Sequence, residues 1–150
     1  METRSPFKPK RLIQFSIFSD NKVGRLHELV SLLSANDLHF IALSSVDMTD
    51  LIILRMVVNY PEYAREIFMK NRCTFRESEV VAVEIDSEHE LKNVTCALVQ
   101  AEINIYYIYS FLMRPNGRTG LVLGLEDNDL AEDVLRKNQI RILYQNDIAR

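Results

Sequence analysis

The chain has 150 residues, 47% hydrophobic and 26% charged, and its 18 basic against 21 acidic side chains give a net charge of −3. These are ordinary globular values and exclude wholesale disorder. So slight an acidity provides no field for phosphate backbones, and no apolar run, Leu51-Ile52-Ile53-Leu54 included, approaches the length of a bilayer span, so neither a nucleic-acid nor a membrane partner is expected.

Residues 1–9 read as a short basic arm, with Pro6 and Pro9 opposing regular structure and no apolar core or cleavage site of a secretory signal. Cys73 and Cys96 make neither a C-x-x-C pair nor a disulfide framework. A reducing, cytoplasmic compartment is the expectation.

From Arg11 to Phe18 the chain alternates, with Ile13, Phe15 and Ile17 on one face and Leu12, Gln14, Ser16 and Phe18 on the other, the pattern of a strand. Ser19-Asp20-Asn21 supplies turn residues. Leu26, Leu29, Val30 and Leu33 then form one helical stripe, which ends near Asn36-Asp37. Strands are predicted over 38–46 and 51–58, with a turn at 47–50. Pro61 suits the first turn of a second helix capped by Asn59, whose inward stripe is Ala64, Ile67 and Phe68.

The second half repeats the first. Val80 to Ile85 is a β-branched strand and Asp86-Ser87 a capping pair. Leu91, Val94, Thr95 and Leu98 each lie 65 residues after a member of the first stripe. A long strand over 103–113, a Pro115-Asn116-Gly117 turn, a strand over 119–125, a helix with Ala131, Val134 and Leu135 inward, and a strand over 140–143 complete it. The repeat predicts an α+β fold of two ferredoxin-like βαββαβ modules, residues 10–78 and 79–147, each with an antiparallel sheet and helices on one face. A unit of this size buries only about 60% of its unfolded surface, so pairing within the chain or with a second copy is expected.

Catalytic patterns are incomplete. His27-Glu28 and His89-Glu90 each begin an H-E-x-x-H sequence, but Ser31 and Asn93 stand where zinc needs the second histidine. Gly117, Gly120 and Gly124 run from a turn into a strand and cannot cradle a phosphate at a helix start; close packing is their expected role. No catalytic residue, metal or cofactor is expected, and the chain reads as a non-enzyme. In the strand NIYYIYSF, Ile105, Tyr107, Tyr109 and Phe111 share one face, expected to pack in a core, and Tyr106, Ile108 and Leu112 the other; burial on both faces predicts an interface between repeats or chains. Base stacking, as in RNA-binding modules of this topology, is disfavoured because the strands over 51–58 and 119–125 carry no aromatic residue.

One loop carries binding chemistry: Asn21, Lys22, Val23, Gly24, Arg25 and Leu26. Gly24 permits a tight turn and close approach of a ligand, the unpaired amides of the first helical turn point at the same place, and Lys22 and Arg25 add positive charge. Together they make a candidate carboxylate site.

This loop, at the head of a duplicated βαββαβ pattern, resembles the ACT domain family, whose loop pattern Asp/Asn-x-x-Gly-x-Leu is met by Asn21, Gly24 and Leu26. The resemblance covers Lys10 to Asn146, extends to NIYYIYSF and NQIRIL, and is similar to tandem ACT proteins related to regulatory subunits of acetolactate synthase. It implies an amino acid or similar small carboxylate held between modules, a homodimer, and regulation of a separate metabolic enzyme. A scaffold that has lost ligand binding is the alternative, and a small acylphosphatase-like enzyme a third reading without its catalytic partners. The second repeat departs from the pattern: His89 replaces the glycine among Asp86, Glu88 and Glu90, so that loop is expected not to bind a carboxylate. A few charge-assisted hydrogen bonds, less ordering costs, give affinities of about micromolar to millimolar.

Overall fold

The computed structural model describes residues 9–112 and 118–148. A first βαββαβ unit runs through β1 (Leu12–Asp20), α1 (Arg25–Ala35), β2 (Phe40–Asp47), β3 (Leu51–Val58), α2 (Pro61–Lys70) and the first half of β4 (Thr74–Ile85). The second unit takes the rest of β4, then α3 (Glu88–Gln100), β5 (Ile105–Ser110), β6 (Thr119–Leu125), α4 (Asn128–Lys137) and β7 (Arg141–Leu143), and is followed by a short α5 (Gln145–Ile148). The fold is thus the α+β tandem ferredoxin-like arrangement, an antiparallel sheet in the order β2-β3-β1-β4-β6-β5 with β7 also on β4.

The two units share β4. Thr74–Val80 pairs with β1, whereas Val81–Ile85 pairs with β6 and Ala82–Glu84 with β7. Residues 74–79 alternate between exposed and half-buried, while Val80–Ile85 is buried throughout. Only the second half therefore carries an apolar strand signal, and the expected module boundary at 78/79 falls inside one continuous strand.

Each unit packs its helices on one sheet face. Phe15, Leu33, Met56 and Phe68 are fully buried in the first, with the Phe15 and Phe68 rings edge to face at 5.2 Å. Val83, Leu98, Leu123 and Leu135 fill the second. Each such side chain stabilises the fold by about 1.5–3 kcal/mol. A third core occupies the opposite face. An Ala42–Phe111 bridge and a 2.7 Å bond from the Leu112 amide to Ile41 O draw the edges β2 and β5 together, and Leu12, Val57, Val80, Ala82, Phe111 and Val122 are sealed inside the curl.

The curl explains where the local pattern misleads. Gln14, on the apparently polar face of β1, is 1% exposed. Its Nε2 donates to Tyr107 Oη (2.7 Å) and its Oε1 accepts from Tyr109 Oη (2.6 Å). β5 carries an irregularity between Ile105 and Tyr107, so Ile105 packs with the second helical core while Tyr109 and Phe111 join the inner one. The four-residue face predicted for this strand is thereby split; Tyr106, Ile108 and Leu112 are exposed. The expected cap at Asn59 is also corrected: Tyr60 is the N-cap of α2, and buried Asn59 instead accepts the His39 amide at 3.0 Å. Most of the 1–9 arm, the end of the 103–113 strand and the turn at 115–117 lie outside the described residues.

Candidate functional site

The β1–α1 loop is shaped by two residues. Gly24 has φ +91°, in the left-handed region where a β-carbon costs about 1–2 kcal/mol, and it turns the chain straight into α1. Asn21 ties the loop to the β2–β3 turn: its Nδ2 donates to Asp47 Oδ1 (2.8 Å) and Thr49 O (3.3 Å), and its amide to Asp50 O (3.3 Å).

The charges of this loop are not free. Arg25 Nε donates to Asp20 Oδ1 at 2.6 Å and its Nη1 to Glu28 Oε2 at 3.0 Å, while Lys22 Nζ stands 3.3 Å from Asp20 Oδ2. Arg25, followed by Lys22, holds the Asp20 carboxyl well below its ordinary range, and Asp20 raises Arg25 in return. The expectation of local positive charge is therefore corrected. Asn21, Lys22, Val23, Gly24, Arg25 and Leu26 do form one surface turn, but both cations are ion-paired, Lys22 and Arg25 with Asp20 at the end of β1 and Arg25 also with Glu28.

What the turn offers a ligand is backbone and apolar surface. No side chain caps α1, and the Leu26 and His27 amides have no acceptor among the described residues, whereas the Glu28 amide bonds Gly24 O at 2.9 Å. Nothing lies within 4 Å of the place a Gly24 β-carbon would take. Val23 is fully exposed and Leu26 40% exposed beside it. Two N–H donors at the positive end of a helix, flanked by apolar side chains, suit a carboxylate carrying a short side chain.

The equivalent start of α3 is closed on itself. Ser87 caps it by accepting the Glu90 amide (3.4 Å), and Glu90 Oε1 accepts the Asp86 amide (3.2 Å). Arg118 Nη2 adds an ion pair to Glu90 at 3.0 Å. The side-chain carboxyl of Asp86, followed by burial, pushes Glu90 above its ordinary value, with the Asp86 amide and Arg118 opposing. Ser87 and Glu90 thus occupy the Glu90 and Asp86 amides, while the Glu88 and His89 amides, without an acceptor among the described residues, stand among the carboxylates of Asp86, Glu88 and Glu90.

A cleft of about 760 Å³ lies elsewhere, between α2 and α4 with Arg11, Ile13 and Glu79 at its base. Its polar groups satisfy one another: Arg11 Nε donates to Glu132 Oε1 (2.8 Å), Arg11 Nη1 to Glu79 (3.2 Å), and Tyr144 Oη to Glu132 Oε2 (2.6 Å). Burial draws Arg11 down, but bonds to Glu132 and Asp129 outweigh it and hold the guanidinium above its ordinary value. Arg11 lies 68 to 121 residues from Glu79 and Glu132 in sequence, so no local pattern signals these pairs. The network is a strap between the units, and its size does not make it the binding site. Among the described residues no group of three His, Cys, Asp or Glu side chains could hold a metal, and no helix is long and apolar enough to cross a membrane.

Several solved structures share this architecture. Protein BT0572 from Bacteroides thetaiotaomicron is 26% identical, with a TM-score of 0.85 over 95% of this chain and 98% of that one. The ligand-free regulatory subunit of aspartate kinase from Thermus thermophilus is 12% identical, with a TM-score of 0.61 over 86% of this chain and 91% of that one. A structure of aspartokinase alpha and beta subunits is also 12% identical, with a TM-score of 0.56 over 86% and 93% of the two chains. No curated protein matches the chain. The family model of the ACT domain pair matches residues 11–150, and with the duplicated unit and shared strand described above, the chain belongs to that family.

Proposed function

We propose that this protein is a non-catalytic regulatory sensor that binds a small carboxylate, an amino acid, at Asn21–Leu26. The observation that carries this reading is the contrast between two equivalent helix starts. One is opened by Gly24 with no side-chain cap, and the other is capped by Ser87 with the carboxylates of Glu88 and Glu90 in its first turn. Family membership supports the regulatory role. A ligand on so exposed a turn needs a second wall, which a homodimer partner or a separate metabolic enzyme would provide, and exposed Val23, Leu26 and Met48 are the surface it would cover. Binding would shift the pairing between modules by its differential affinity for two arrangements.

One observation favours the alternative of a regulatory subunit or scaffold without its own ligand, acetolactate synthase-like or otherwise: Asp20 and Glu28 already pair with Lys22 and Arg25. Titration calorimetry with the twenty amino acids separates the two. The sensor reading expects saturable heat with at least one of them and its loss in Gly24→Val. Silence across all twenty supports the scaffold.

A further inference from the structure

We propose that the concave face of the curled sheet holds a second site, for a carboxylate that bears an apolar body and lacks an α-ammonium group, with Arg55 and Arg76 as its anion-binding residues. Four residues lie in register across four adjacent strands: Ser44 on β2, Arg55 on β3, Ser16 on β1 and Arg76 on β4. Arg55 and Arg76 flank Ser16 and stand two interstrand spacings apart, about 10 Å between backbones, a span long side chains can close.

These two arginines differ from six of the others. Arg11, Arg25, Arg65, Arg118, Arg136 and Arg141 each pair with a carboxylate. Arg55 and Arg76 pair with none among the described residues and rest on aromatic rings instead, Arg55 at 4.1 Å from the Tyr107 centroid and Arg76 at 5.9 Å from that of Phe18. Arg55 is half-buried, so its guanidinium has lost part of its water without gaining an anion. Ring contacts orient the two cations, and their N–H donors have no acceptor among the described residues.

The rows on either side define the rest of the ligand. Inward, Gln14 and the Tyr107 and Tyr109 hydroxyls close the floor above the apolar core. Outward, Val46, Ile53, Phe18 and Thr74 form the next row in register, and its three apolar members are half-buried. A carboxylate between the guanidiniums would lay an aliphatic or aromatic body on this row. A free amino acid fits less well, because its ammonium would face two cations with no carboxylate in this row to receive it. This site is separate from the Asn21–Leu26 turn: Ser16 precedes Asp20 by four strand residues, about 13 Å.

Amide NMR of the intact protein tests this, with 4-methyl-2-oxopentanoate, L-leucine and inorganic phosphate as probes, in wild type, Arg55→Gln/Arg76→Gln and Gly24→Val. The expected result is a saturable shift of the Ser16 and Ser44 amides with the oxo acid, at least about tenfold weaker with leucine or phosphate. The double variant weakens it by a similar factor with an unchanged thermal midpoint, and Gly24→Val leaves it intact, which separates this site from the sensor turn. Equal affinity in the double variant, phosphate binding as tightly as the oxo acid, or no saturable shift overturns the proposal. Light scattering that shows the double variant dissociating a dimer, with no anion bound by wild type, assigns the face to a second copy and overturns it as well.

Discussion

The ring of Tyr107 occupies the space that a β-carbon on Gly124 would need, and the ring of Phe111 does the same over Gly120. Two glycines on β6 thus let β5 fold its aromatic side chains flat against the neighbouring strand. The Tyr107 hydroxyl then reaches Gln14 on β1, and Phe111 meets Ala42 on β2. Closure of the curl depends on side chains that are absent.

Gly124→Val is expected to destabilise the protein by about 1–3 kcal/mol, the usual cost of forcing extra atoms into a packed core. Urea denaturation checks the magnitude. Tyr107→Ala removes the clash and should make the two substitutions non-additive in a double-mutant cycle.

Gly24→Ala meets no atom within 4 Å, so its cost is backbone strain alone, about 1 kcal/mol. Ser87→Ala at the other helix start removes a cap and should cost about 1 kcal/mol by a different cause. Only the first substitution is expected to alter ligand binding. Parallel denaturation and calorimetry of the two variants check both halves of the expectation.

Glu84 is completely buried on the shared strand, with Arg141 Nη1 at 2.8 Å and Arg118 Nε at 3.8 Å. Neither of its oxygens makes a well-directed hydrogen bond. Arg141→Ala strands the charge and should cost about 3 kcal/mol, whereas Glu84→Met is expected to be neutral or stabilising. Thermal and chemical denaturation of the two variants check the reversal of sign.

Burial, then the neighbouring Tyr107, raises the Tyr109 hydroxyl above its ordinary value of about 10, with Arg55 opposing. A raised folded-state value means that neutral Tyr109 contributes stability in full below the unfolded value and loses it as pH rises through the folded one. Tyr109→Phe is therefore expected to flatten the alkaline limb of the stability profile above about pH 10. The variant should also lose about 1 kcal/mol at neutral pH with the bond to Gln14. Urea melts across the alkaline range check both effects.

Helices and strands with a single buried face were legible in the sequence. The stripe of Ala64, Ile67 and Phe68 is buried as its spacing predicts, and the period of 65 residues reflects a true structural duplication. What the sequence concealed depends on partners far apart in the chain. Gln14 looks like a solvent-facing residue until Tyr107 and Tyr109, 93 and 95 residues later, cover it. The first half of β4 is too polar to read as a strand because its outer residues meet α2 and solvent, as when Arg65 Nε donates to Glu77 at 2.7 Å. At the loop, the spacing of Asn21, Gly24 and Leu26 revealed the backbone geometry. It did not reveal that Asp20 and Glu28 pair with both cations, which only their folded-state proximity shows.

The central claim is that one helix start of two is a ligand site, and a structure determined with the amino acid that gives calorimetric heat tests it most directly. The account predicts the ligand carboxylate on the Leu26 and His27 amides beside Gly24, with the Ser87–Glu90 cap undisturbed. A carboxylate bound at Asp86–Leu91 with the Asn21–Leu26 turn empty would contradict it.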